Sequence, residues 1–165
     1  MDVDLKVIQS FEAAAPVKLM EDRELRQVKV PPDLLQATAL AYGLDLHHLP
    51  ICDVSIPDER FEDLWIYSGM RLRKLLSEGQ NIVIHRLGGL GRTGMIGARL
   101  LVELGLEPEV AIRRVRAARP GSIGTHDQGL TLREPRPCPE PLDPGNEQIG
   151  RWNPAKGVCC GAVGS

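Results

Sequence analysis

Residues 81–101 read NIVIHRLGGLGRTGMIGARLL, and their interpretation decides the fold. Residues 81–85 are a β-branched run, the composition of a buried strand. A glycine-rich loop follows, and from Arg92 the pattern becomes helical, predicting a helix over 92–104. Such a strand–loop–helix passage is a seat for an anion. Glycines permit positive φ angles and close approach, so residues 86–92 can turn successive N–H groups inward. The helix beginning near Arg92 adds its positive end. Arg86 fits this picture poorly. It is a long cation opening a loop of donors, and burying an unpaired charge there would be costly.

Working outward, the segment upstream of this loop supplies alternating elements. DVDLKVIQSFEAA carries a helix-like apolar stripe that Pro16 ends, and VKLM reads as a short strand. EDRELRQV predicts one or two helical turns. PPDLLQATALAYG predicts a helix entered through prolines and stopped at Gly43. LDLHHLPI reads as a strand with one of His47 and His48 buried and the other exposed. Asp58 is placed to cap a helix that ends at Gly79. Downstream, GLEPE separates the helix at 92–104 from another at 108–118, and RPGSIGTHDQ reads as a loop. Strands separated by helices predict a layered α/β domain with a mainly parallel central sheet flanked by helices. Residues 1–132 form this domain in the reading. Residues 133–165 carry a proline-dense run, REPRPCPEPLDPG, and are expected to be a disordered tail.

Composition narrows the function. The net charge of −2 gives no reason to expect nonspecific binding to nucleic acid or to acidic membranes. Aromatic residues, at 4%, are too scarce for a base-stacking platform. No apolar run approaches membrane-spanning length and the start MDVDLKVIQS is unlike a secretory signal, so a cytoplasmic location is expected. Cys52, Cys138, Cys159 and Cys160 suit neither a disulfide framework nor a zinc site, and His126 has no visible metal partners. No cofactor and no metal are expected.

The loop itself excludes two nucleotide motifs. Gly89, Gly91 and Gly94 match G-x-G-x-x-G in form, but a second helix stands where a dinucleotide fold needs its next strand. The Walker pattern needs a lysine before Thr93, and Arg92 stands there. HRLGGLGRTG resembles instead the signature of the cysteine-dependent protein tyrosine and dual-specificity phosphatases, His-Cys, five residues, then Arg and Ser or Thr. His85, Gly89, Arg92 and Thr93 fall in register, and Arg86 occupies the place of the nucleophilic cysteine. HHLPICDVSIPDERFEDLW is similar to the family's general-acid loop, with Asp53 in the acid's position. VKLMEDREL, RLLVELGLEPEVAIRRVRAARPG and THDQ resemble the bacterial and kinase-associated branch of the group, so the likeness covers roughly residues 3–128.

The resemblance implies roles. Leu87, Gly88, Gly89, Leu90, Gly91 and Arg92 would bind phosphate, with Arg92 able to grip two oxygens through its planar fork. In relatives the field of this loop lowers the thiol pKa, and the thiolate attacks phosphorus. Asp53 would protonate the leaving oxygen and then activate water, with Asp58 the next candidate. Thr93 would balance the thiolate, Gln128 would orient that water, and His85 would hold the loop from behind. Cys52 lies on a different loop and reads as inert. The run RRVRAAR at 113–119 reads as a solvated face or as a cleft rim attracting an acidic phosphoprotein.

A guanidinium cannot replace the thiolate, because it stays protonated at neutral pH. Three fates of Arg86 stay open: a swing toward Asp53, an opened loop, or an anion held between Arg86 and Arg92. Three functions stay open with them. One is a pseudophosphatase that binds a phosphoprotein or a small phosphate ester. The others are an active phosphatase in which Arg86 is a variant or sequence error, and a non-functional relic. Relatives usually carry more chain before the first helix and a closing helix after the glutamine, so the comparison predicts a domain truncated at both ends. Oligomeric state is not legible.

Overall fold

Among the described residues three short parallel strands position everything else. β1 (Ala13–Lys18) lies between β2 (His47–His48) and β3 (Asn81–His85). The computed structural model describes residues 8–86 and 91–133. Parallel neighbours need long crossovers, and helices supply them. α1 (Asp22–Gln27) and α2 (Pro32–Ala41) join β1 to β2, and α3 (Glu59–Ser77) joins β2 to β3. α4 (Gly91–Glu103), α5 (Pro108–Ala118) and α6 (His126–Thr131) follow. This is the layered α/β arrangement expected, a parallel sheet with helices around it. Among the described residues no helix is long and apolar enough to cross a membrane. The expected disordered tail lies, from residue 134 onward, outside the described residues.

The first strand differs from expectation. It starts at Ala13 and runs through Pro16, rather than starting after it. Proline is tolerated because of the side its nitrogen faces. Asp45 N donates to Ala14 O (3.1 Å) and Leu49 N donates to Lys18 O (2.8 Å), so even-numbered residues of β1 face β2. β2 pairs only with Val17 and Lys18. The missing N–H of Pro16 therefore points to the side where no ladder has yet begun. The alternating segment around β2 is also shorter as a strand than predicted, although Leu49 and Ile51 still donate to Lys18 O and Leu19 O. The loop after α5 likewise ends sooner: Thr125 caps α6 by accepting from Gln128 N (3.2 Å).

Other local signals hold as read. Asp58 caps α3, accepting from Phe61 N at 2.8 Å. Gly43 and Gly79 take positive φ just past α2 and α3. The main core joins Ala15, Val17 and Ile84 of the sheet to Phe61, Leu72, Ile96 and Leu100 of the helices. A smaller cluster of Met20, Leu25 and Leu35 packs α1 against α2. α4 is buried from Arg92 to Leu101. Gly94 permits this, since a Cβ there would stand 2.7 Å from Ser122 Cβ and 3.0 Å from Ile123 N. At its far end Arg99 lies over Trp65 (4.6 Å) and pairs with Glu62 and Glu103, tying α4 to α3.

His47 is buried and its Nδ1 meets Ser68 Oγ at 3.0 Å. Among the described residues its buried Nε2 has no hydrogen-bond partner, although Asp45 lies 3.6 Å away. Burial pushes its pKa below the ordinary value, with Asp45 opposing. A depressed histidine contributes stability above its unfolded pKa and loses it as pH falls. The urea midpoint should therefore decline as pH drops below about 6.5. His47→Gln should flatten that part of the profile, and an unchanged slope would contradict the assignment.

Candidate functional site

The carboxyl ends of the three strands and the start of α4 converge on Arg92. Its side chain is 1% exposed, yet it carries a full charge. A guanidinium has five N–H donors, and their destinations define the site. Nη1 donates to Ile51 O (2.7 Å) and to Glu24 Oε2 (2.8 Å), with Leu19 O at 3.4 Å. Nη2 donates to Glu24 Oε1 at 2.8 Å, and Asp53 Oδ1 stands 3.1 Å from it as an ion pair. Among the described residues Nε has no partner, although it is buried.

Glu24 thus takes the end of the guanidinium fork in a bidentate pair. Its own orientation comes from the first turn of α1, where Oε2 also accepts from Glu21 N (2.8 Å). The Arg92 hydrogen bond holds the Glu24 carboxyl below the usual range, against its partial burial. For Arg92, burial opposes the charge, while Glu24, with Asp53 and Glu21, outweighs it and raises the pKa. Sequence reading missed Glu24. EDREL showed a helical start, but nothing in the spacing marks a contact across 68 residues.

Arg86 turns toward Asp53, donating from Nη1 to Oδ1 at 2.9 Å. Burial first and Arg92 second lower the Arg86 pKa, and Asp53 pulls it back. Asp53 Oδ1 therefore bridges two guanidinium groups while its side chain stays 58% exposed. Asp58, the next candidate, is occupied as the α3 cap.

The remaining candidates lie around this pair. His85 Nδ1 is 2.7 Å from Lys18 Nζ, within hydrogen-bond reach. Thr93 is buried in the first turn of α4. Gln128 is buried, its Oε1 accepting from Gly124 N (3.1 Å) and its Nε2 donating to Ser55 O (3.2 Å). It fills the space a Cβ at Gly91 would need, 2.6 Å from its Oε1. Gln128 thus ties the Cys52–Ser55 turn to the Gly124 backbone and packs beside the start of α4. Leu87, Gly88, Gly89 and Leu90 lie outside the described residues. Cys52 is exposed and its sulfur lies 3.8 Å from Arg23 Nη2. Arg113 and Arg114 are exposed on α5, while Arg116 donates to Ser122 O and Ile123 O beside Gly94.

Comparison with known proteins gives the arrangement a family. Residues 4–106 match the family model described as "Polymorphic toxin system, DSP-PTPase phosphatase". The chain is 33% identical over 89 residues to a probable protein tyrosine phosphatase type IVA A of Dictyostelium discoideum, covering 50% of this chain and 49% of that protein. It is 36% identical over 116 residues to cyclin-dependent kinase inhibitor 3 of Rattus norvegicus, covering 67% and 51%. The chain thus spans about half the length of these curated relatives. Among solved structures it resembles kinase associated phosphatase (KAP) with its catalytic-site cysteine substituted by serine. The TM-score is 0.67 at 30% identity, over 78% of this chain and 71% of that one. The fold, the converging loops and these matches agree that the chain belongs to the dual-specificity and protein tyrosine phosphatase family.

Proposed function

We propose that this chain is a phosphate-binding member of the family, impaired in hydrolysis because Arg86 stands where relatives carry the nucleophile. The observation that carries the reading is Arg92: a buried guanidinium at the start of a helix, with a donor that nothing in the described protein uses. Desolvated donors of this kind favour an anionic acceptor. The positive end of α4 adds to the attraction. Arg86 is hydrogen-bonded to the carboxylate of the acid loop and stays protonated, so it offers no lone pair to attack phosphorus. The ligand class is a phosphoprotein or a small phosphate ester.

Anion binding should appear as stability. Phosphate or tungstate should raise the unfolding temperature progressively as its concentration passes the dissociation constant. Arg92→Met should lose that increment. A midpoint independent of both anions, at constant ionic strength, would remove the reading.

The chemistry can be tested by restoring the thiol. The unmodified chain should not release phenol from an aryl phosphate at mildly acidic pH. Arg86→Cys should gain turnover: the thiolate sulfur bonds to phosphorus as the P–O bond breaks and Asp53 protonates the departing oxygen, and water deprotonated by Asp53 then cleaves the S–P bond and releases phosphate. In that background Asp53→Asn should slow release by about a hundred- to ten-thousand-fold. Hydrolysis by the unmodified chain that Cys52→Ser abolishes would contradict the assignment of Arg86 to the nucleophile's place.

A further inference from the structure

We infer that Asp53 is the resident anion of the Arg86–Arg92 seat, and that an incoming oxyanion binds by displacing it. The inference rests on the phosphate-binding reading and specifies how that site is controlled.

The donor arrangement of Arg92 supports it. A guanidinium offers two edges for bidentate contact, one formed by Nη1 and Nη2 and one by Nε and Nη2. Glu24 fills the first. The second holds the unpartnered Nε, with Asp53 Oδ1 in ion-pair contact at its other end. One carboxylate oxygen meets only part of this edge. A tetrahedral oxyanion has two oxygens to place against it. The charges agree: Glu24 and Asp53 pair with Arg92, Asp53 pairs with Arg86, and Glu21 also acts on Arg92. An added dianion would meet these carboxylates unless Asp53 withdraws. Glu24 is the less free to leave, since Arg92 and Glu21 N both hold it.

The acid loop is built to withdraw. Ser55 N donates to Cys52 O (3.2 Å), closing a turn whose third residue, Val54, has φ +59°. A β-branched residue in the left-handed region is strained. Val54 is 70% exposed, so its own packing does little to hold it there. Contacts from outside the turn restrain the loop, Arg86 and Arg92 to Asp53 and Gln128 to Ser55 O. Withdrawing Asp53 exposes the donors that its carboxylate covers on Arg86 and Arg92 and lets Val54 relax. The arginine at the nucleophile's position is thereby a latch on the general-acid loop.

Two variants test this through inorganic phosphate affinity, measured by calorimetry at fixed low ionic strength on the full chain. Asp53→Asn is isosteric and exposed, and it removes the competing charge, so phosphate should bind about tenfold tighter. Val54→Gly removes the strain of the latched loop, so phosphate should bind about fivefold more weakly. Circular dichroism should show both variants folded. Suppose Arg92→Met abolishes binding while Asp53→Asn leaves affinity unchanged or weaker. The seat is then real, Asp53 does not occupy it, and the inference fails alone. If neither the unmodified chain nor Asp53→Asn binds phosphate, the phosphate-binding reading fails and takes the inference with it.

Discussion

The ion pair between Arg92 and Glu24 is the constraint on which the rest of the site depends. It brings the first turn of α4 against the first turn of α1, and the same guanidinium collects carbonyls from Leu19 and Ile51. Those carbonyls sit just beyond β1 and β2, so one side chain joins the ends of two strands to two helices. A charge buried this deeply is tolerated only when paired and hydrogen-bonded; removing one partner of such a pair typically costs about 3–5 kcal/mol. The lowered Glu24 pKa expresses the same coupling. A depressed carboxyl contributes stability above its unfolded pKa, and that contribution is lost as pH falls through the lowered value.

Around that pair the chain is crowded in a way that leaves little freedom. α4 enters between Gln128, which occupies the space beside Gly91, and the Ser122–Ile123 backbone, which presses on Gly94. Arg116 supports that backbone from α5. The Cys52–Ser55 turn is the exception. It is tied by Arg86, Arg92 and Gln128, carries a strained residue and is largely exposed.

Much of this was legible in local sequence because local forces decide it. Asp58 three residues before Phe61, Gly79 after the amphipathic α3, and the β-branched NIVIH before the glycines each act within a turn or a strand. The positions of Asp53, Arg86 and Arg92 followed from matching a pattern, and the structure brings all three together. Glu24 was invisible because its partner is remote and EDREL reads equally well as a solvated helix start. β1 was misplaced because alanines carry little strand signal and Pro16 argues against a strand until the empty side of the ladder is known. The fate of Arg86 was open for a related reason. Whether a long cation finds a carboxylate depends on the placement of a loop 33 residues away.

We propose that the buried, unpartnered Nε–H of Arg92 is the donor that takes an oxyanion. Arginine Nε–H groups can be observed directly in a proton–nitrogen correlation spectrum, and comparison with Arg92→Met identifies this one. Added phosphate should move a slowly exchanging resonance downfield, in step with the stabilisation of the fold. A resonance that stays in place while phosphate stabilises the protein would show that the anion binds elsewhere, and would contradict the account.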